Sequence, residues 1–360
     1  MNRIPFHPDE LKSDDFYPPM ITGFPGARKY NTPVPPKENC RMLYHREIPY
    51  WLPGGSDRRM MTPRIDPDNV ARNFVFDAQP LKPEEKVGGL DKHGVEWVYV
   101  PVAQGSMVKP GHPVLEDAND WEKLVRFPDL DSWDWAGSVA ANGPVLEKDG
   151  RALTITILTG LFERLISLMD FDNAAVALVD EGQKDAVKAL FDRLADMYAD
   201  IIRRYKKAYD PMILSFHDDW GSQRAPFYSL STVREMILPA LSRVVQAAHD
   251  AGMFFDMHSC GKNELLVPAY IEAGADSWSG QPMNDKAMLH EKYGDKIILG
   301  IEPDIAFTPE TTDGEAAASA RRFLRKYGPM IDKKPFLCSA MGATPAFSDT
   351  LYEESRKMFG

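Results

Sequence analysis

From Arg151 onward the chain alternates short apolar runs with longer amphipathic stretches. Leu153–Leu158, Pro211–Phe216, Met253–His258, Asp276–Trp278, Lys296–Ile301 and Pro335–Cys338 read as strands. Between them, Lys184–Lys207 places Val187, Leu190, Leu194, Met197, Ile201 and Tyr205 on one helical face. Ser231–Asp250 does the same with Val233, Ile237, Leu241, Val244 and Ala248. It opens on Thr232 and Glu235 as a capping box and closes at Gly252. Such alternation, kept up to the C-terminus, predicts an α/β protein with a parallel sheet.

Side chains in a strand alternate between faces, so each run divides into two sets. In Met253–Cys260, one set is Met253, Phe255, Met257 and Ser259; the other is Phe254, Asp256, His258 and Cys260. Ile213–Asp219 divides into Leu214 and Phe216 against Ser215, His217 and Asp219. In Ile297–Glu302, Ile298, Gly300 and Glu302 stand opposite Ile297, Leu299 and Ile301. Several strands thus have one apolar face and one that turns polar towards the C-terminal end. A doubly wound sheet, covered by helices on both faces, wants both apolar. A (β/α)8 TIM-type barrel gathers its chemistry at the C-terminal ends of its strands, and is the fold expected here.

The first sixty residues differ. Pro5, Pro8, Pro18, Pro19, Pro25, Pro33, Pro35, Pro36 and Pro49 forbid long helices there. Residues 1–60 are therefore expected to form a proline-rich arm packed on a barrel of residues 61–360, and the arm could cover a site. Residues 70–150 mix short strands such as Glu96–Val100 with loops and a tryptophan-rich stretch, and read as a large loop or a lid.

Composition narrows the function. With 44 % hydrophobic and 26 % charged residues, the chain has ample material for a core. No stretch approaches the roughly 20 unbroken apolar residues of a membrane span, and no leader peptide is read at Met1–Pro5, so a cytoplasmic protein is expected. The net charge of −11 repels phosphate backbones and argues against nucleic-acid binding. Neither a G-x-G-x-x-G nor a G-x-x-x-x-G-K-[ST] loop is found in a nucleotide-binding context. Three cysteines, Cys40, Cys260 and Cys338, do not make a disulfide framework.

His258 and Cys260 lie two apart on one strand, so both point to one face. An imidazole and a thiolate suit zinc, and Cys338 ends a later strand. Three protein ligands would leave zinc a fourth position for water or substrate.

The segment Met257-His258-Ser259-Cys260-Gly261, with Cys338 far downstream, resembles the His-x-Cys…Cys zinc site of corrinoid-dependent methyltransferases in the uroporphyrinogen decarboxylase superfamily. His217-Asp218-Asp219-Trp220-Gly221-Ser222-Gln223 and Glu272-Ala273-Gly274-Ala275-Asp276 extend the similarity, which runs from about Pro33 to the C-terminus. The arginine-rich motif of the decarboxylases themselves is missing, which disfavours decarboxylation. The resemblance implies a (β/α)8 barrel with zinc on His258, Cys260 and Cys338. Strand phase, apart from the resemblance, makes Asp219 and Glu302 the candidate catalytic carboxylates, with Glu302 departing from the sequence common in that family, and makes Asp256 the partner that could orient the zinc histidine. His217, Trp220, Gln223 and Trp278 would bind the substrate, with Phe227 and Tyr228 adding to an aromatic wall. It further implies a small methylated substrate and a cobalamin (corrinoid) cofactor on a partner corrinoid protein, since this chain has no corrinoid-binding Asp-x-His-x-x-Gly motif. The motif variants look most like O-demethylase methyltransferases, which take methyl from aryl methyl ethers to Co(I). Thiol methylation from a methyl-corrinoid, as with coenzyme M, is the alternative; a cofactor-free decarboxylase and a barrel in which zinc only stabilises the fold are further ones.

Overall fold

The computed structural model describes residues 3–17, 26–103 and 105–360. Pro18, Pro19 and Pro25 of the expected arm lie outside the described residues. Seven parallel strands form one curled sheet: β1 (Arg58–Met61), β2 (Ala152–Ile157), β3 (Ile213–His217), β4 (Phe254–Ser259), β5 (Ser277–Gly280), β6 (Ile298–Ile301) and β7 (Phe336–Cys338). The seam between β7 and β1 is closed just ahead of β1. There Gly54 forms a parallel bridge to Cys338, and the Cys338 amide donates to the Pro53 carbonyl at 3.1 Å. The architecture is a TIM-type α/β barrel, as the alternation predicts, with the eighth position filled by this short bridge. β1 begins at Arg58, so the barrel opens just before the expected boundary at residue 60.

Six of the strands were legible from their apolar runs; β1, Arg-Arg-Met-Met, was not, because only two of its residues are apolar. The register confirms the alternation. Thr156, Ser215, Asp256 and Ser277 pair in a row across four neighbouring strands, and His217, His258 and Ser279 form the row above. The opposite pleat carries Phe216, Met257, Trp278, Leu299 and Phe336, all fully buried against the outer helices.

Those helices are α2 (Leu161–Met169), α3 (Lys184–Tyr209), α4 (Leu238–Asp250), α5 (Val267–Ala273), α6 (Lys286–Tyr293), α7 (Asp313–Tyr327) and α8 (Pro345–Phe359), while α1 (Pro36–Tyr44) precedes the barrel. α3 follows its predicted face, burying Val187, Leu190, Leu194, Met197, Ile201 and Tyr205. The stretch ahead of α4 departs from expectation. Ser229, not Thr232, caps it, accepting from the Thr232 amide at 3.1 Å. Residues Val233–Ile237 widen into a π-helical turn, and Glu235 turns outward to Lys184 and Lys188 instead of closing a box.

The described part of the arm runs along α8, and Pro53 and Gly54 near its end reach the last residue of β7. Glu10 is the anchor. Its carboxylate takes three side-chain hydrogen bonds, from Tyr352 Oη (2.6 Å) and from Arg356 Nε and Nη2 (2.8 and 2.9 Å). α1 then plugs the barrel floor, where Tyr44 Oη meets Ser277 Oγ at 3.0 Å. No helix among the described residues is long and apolar enough to cross a membrane.

Between β1 and β2 the chain makes a long excursion. It carries a three-stranded antiparallel sheet (Gly88–Leu90, Glu96–Val100, Gly105–Val108) and a short helix, Pro67–Ala71. A buried ionic network fixes it to the barrel. Arg164 of α2 donates to Asp68 at 2.5 Å and also contacts Asp91, and Lys92 Nζ reaches Asp66 at 2.7 Å. Asp68, Asp91, Lys92 and Arg164 are all buried. Removing one partner of such a set strands the other charges in a medium that solvates them poorly. Arg164→Met is therefore expected to lower the unfolding free energy by about 3–5 kcal/mol, read by urea denaturation at neutral pH; a loss under about 1 kcal/mol would show the network to be hydrated.

Candidate functional site

The strand ends at the C-terminal mouth bring together three donor groups. A carboxylate oxygen of Asp219, a ring nitrogen of His258 and Sγ of Cys260 all lie within 4.8 Å of one another. His258 comes from β4 with an inward phase, and Cys260 follows the strand end. Asp219 is held in place by the Cys260 amide, which donates to its Oδ1 at 2.6 Å. His258 Nε2 stands 3.4 Å from Cys260 Sγ.

The turn after Cys260 is tightly specified. Gly261 has φ +93°, and a Cβ there would fall 2.2 Å from the Gly221 carbonyl oxygen, so only glycine fits. Asn263 Nδ2 donates to Ser259 Oγ (2.9 Å) and to the Cys260 carbonyl (2.6 Å). The cysteine is thus presented from a rigid loop.

Four consecutive residues, beginning with the last of β3, divide the labour. His217 lies against His258, ring centroids 4.3 Å apart. Asp218 turns away to cap α2, accepting from the Phe162 amide (3.1 Å), the Glu163 amide (2.8 Å) and Trp220 Nε1 (2.9 Å). Asp219 joins the donor cluster. Trp220, fully buried, packs on Tyr270 in the outer shell. The expectation that Trp220 and Trp278 bind substrate is therefore corrected: both have 0 % exposure, and Trp278 sits on the helix-facing pleat. Gln223 is exposed in the following loop, and Phe227 and Tyr228 join Phe162 and Phe171 in a cluster beside α2.

Asp256 also departs from its expected role. Its oxygens accept from Ser277 Oγ (2.5 Å), Ser279 Oγ (3.1 Å) and Ser215 Oγ (3.3 Å), a serine cage one row below His258. These hydroxyls, and not the histidine, are its partners.

Cys338 is not a member of the cluster. Register pairs it with Ile301, on the pleat of Phe336, whose ring packs against His290, Phe323 and Tyr327. Glu302 follows β6, two strands round from β4, and accepts from Lys286 Nζ at 3.2 Å. Lys286 also donates to the carbonyls of Gly280 (2.8 Å) and Gly300 (3.2 Å), clamping the ends of β5 and β6.

Two groups at the mouth have no counterpart in the sequence reading. Glu163, at the start of α2, receives Arg72 Nη1 on one oxygen at 3.1 Å, while its other oxygen is buried without a partner. Burial outweighs the arginine, and the charges of Asp219 and Asp218 add to it, so the Glu163 carboxyl is pushed up to about 8. Burial first, then the neighbouring Asp219, pushes the Cys260 thiol up to about 12. The Asp219 carboxylate disfavours the Cys260 thiolate beside it, and a cation held between the two would relieve that repulsion. The donor set fits a metal ion of zinc type.

No family model matches the chain, and no curated protein matches it by sequence. Among solved structures, a methyltransferase from Methanosarcina mazei is similar in fold at TM-score 0.62. It shares 15 % identity over 91 % of this chain and 99 % of that one. A glycosylated endo-β-1,4-xylanase from Gloeophyllum trabeum is similar at TM-score 0.39 and 7 % identity, over 63 % of this chain and 81 % of that one.

Because Cys260 holds its proton up to about 12 without a metal, binding of a divalent cation at neutral pH is expected to expel it, releasing roughly one proton per site. Calorimetric zinc titrations in buffers of different ionisation enthalpy measure this. Cys260→Ser should remove the release, and an unchanged release would place the metal elsewhere.

Proposed function

We propose that this chain is a zinc-dependent methyltransferase, taking methyl from an aryl methyl ether and passing it to the Co(I) of a corrinoid carried by a partner protein. The observation that carries the proposal is the convergence of Asp219, His258 and Cys260 at the catalytic end of a TIM-type barrel. The fold likeness to a methyltransferase and the resemblance of the His258-x-Cys260 segment point the same way.

His258 and Cys260 would hold the zinc. Asp219 supplies the third donor in this structure, and Cys338 would replace it only if the end of β7 turned inward. Zinc supplies Lewis acidity at an ether oxygen, a poor leaving group unless its developing charge is stabilised. In the transfer the O–CH3 bond breaks with its electron pair left on oxygen, the methyl carbon bonds to the nucleophile, and the oxygen takes up a proton. If Asp219 binds the metal, it cannot also carry that proton. Glu163 is the candidate in its place: burial pushes its carboxyl up to about 8, and one of its oxygens is buried without a partner. His217, against the face of His258, limits the directions in which the metal histidine can turn. The Lys286–Glu302 pair forms the opposite wall.

Purified protein is expected to hold roughly one zinc per chain and to demethylate methoxyarenes with cob(I)alamin as acceptor. Cys260→Ser should cost about a hundredfold or more, with the fold kept. Metal content in Asp219→Asn and Cys338→Ser identifies the third ligand: the first variant should lose zinc and the second retain it. Methylation of thiols from methylcobalamin, without activity on ethers, would reverse the direction; a folded protein without zinc would overturn the proposal.

A further inference from the structure

At the end of the barrel opposite the mouth, where the strands begin, lies a cavity of about 700 Å³. Its apolar lining is Leu153 of β2, Met212 just ahead of β3, and Met253 and Phe254 at the start of β4. The Phe254 ring stacks on Tyr44 (centroids 4.7 Å apart) and takes the edge of His45 (5.2 Å). α1 supplies one wall: Lys37, Arg41 and His45 follow at four-residue intervals and so stand on one side of the helix. The Lys37 amide donates to the Gly150 carbonyl at 3.0 Å, which brings this wall against the turn that carries Asp149 and Arg151. Arg59 of β1 completes that corner, donating to Asp149 at 2.7 Å.

Most of the lining carboxylates are already matched. Asp149 has two guanidiniums, Arg59 and Arg151; Asp210 has Lys206 at 2.6 Å, and Asp276 has His249 at 2.8 Å. Only Glu147 lacks a cation of its own among the described residues. On the positive side much is unspent. The Lys37 ammonium has no hydrogen bond or ion pair among the described residues. Arg59 uses Nη1 alone, and Arg41 gives Nη1 alone to Glu38, which does not line the cavity. Five cations thus face four carboxylates, in a chain whose acids outnumber its bases by 53 to 42. Open N–H donors around an apolar lining suit an anion that also carries a flat ring. A bare inorganic ion leaves Phe254 and the methionines unused, and a polyphosphate meets Glu147 and Asp210. We propose that this cavity binds a phosphate monoester of a ring compound, of nucleoside monophosphate size, with the phosphate at the Lys37–Arg59 corner and the ring on the apolar lining. Cavities of about 300–1,000 Å³ hold ligands of that size. The site stands apart from Asp219, His258 and Cys260 and does not depend on the methyl-transfer reading.

Calorimetry on the full chain tests it with three probes: adenosine 5′-monophosphate, adenosine and inorganic phosphate. The monophosphate is expected to bind about tenfold or more tighter than either fragment, because only it engages charge and ring together, and to weaken as salt is raised. Lys37→Glu reverses the unpaired charge in the first turn of α1, where an acidic residue favours the helix. It should cost about tenfold or more in affinity, with circular dichroism checking the fold. Cys260→Ser, at the other end of the barrel, should bind the monophosphate as the wild type does. A measurement on the wild-type chain needs no variant: acetylation followed by mass spectrometry should show Lys37 protected by the monophosphate and not by adenosine, while the exposed Lys357 reacts alike in both. A monophosphate that binds no tighter than its fragments, or that leaves Lys37 unprotected, overturns the proposal. Binding kept in Lys37→Glu but lost in Cys260→Ser overturns it as well, by placing the ligand at the mouth.

Discussion

Arg164 lies without solvent contact between two aspartates that come from a different part of the chain. An isolated guanidinium there would be costly to bury, and so would the aspartates. Together they lock the long excursion between β1 and β2, with its own small sheet and helices, onto α2. The arrangement of the mouth follows from this lock. Asp68, held by Arg164, belongs to the short helix that ends at Arg72; Glu163, the neighbour of Arg164 in sequence, meets Arg72 on the other side.

α2 thus has two faces with different duties in consecutive residues. One buries its charge in a paired network, and the other leaves a carboxyl oxygen unpaired beside the donor cluster. The N-terminus of the same helix is capped by Asp218, which sits next to Asp219. One helix start therefore registers the arginine, the acid and the metal-type donors against each other. Catalytic geometry held by regular elements is more exact than geometry held by loops alone.

Strand alternation made much of this legible. It places His258 and Cys260 on one face and brings His217 and Asp219 to the same mouth, because a period of two survives whatever the strand packs against. The same rule, applied to Ser277-Trp278-Ser279, puts Trp278 outside with the helices, and an aromatic residue near a motif is a poor guide to a binding wall. For Cys338 the alternation points with Phe336, away from the cluster. Arg72, Glu163 and Lys286 carry no such signal. Each enters the site from a helix end, and its place depends on where three separate elements meet, which no local pattern encodes. β1 escaped notice because its inward positions include Arg58, so its run is not apolar.

The barrel wall is continuous through seven strands and thin at one line, where the Gly54 bridge and the Pro53 carbonyl meet Cys338 at the end of β7. Neighbouring strands elsewhere share several ladder bonds; here the cylinder is held by little more than a clasp. Local opening follows the fewest backbone bonds, so this line is where the wall breathes first. A slit there would let residues 339–344 swing without disturbing β4, giving the mouth one adjustable edge opposite a fixed floor of donors.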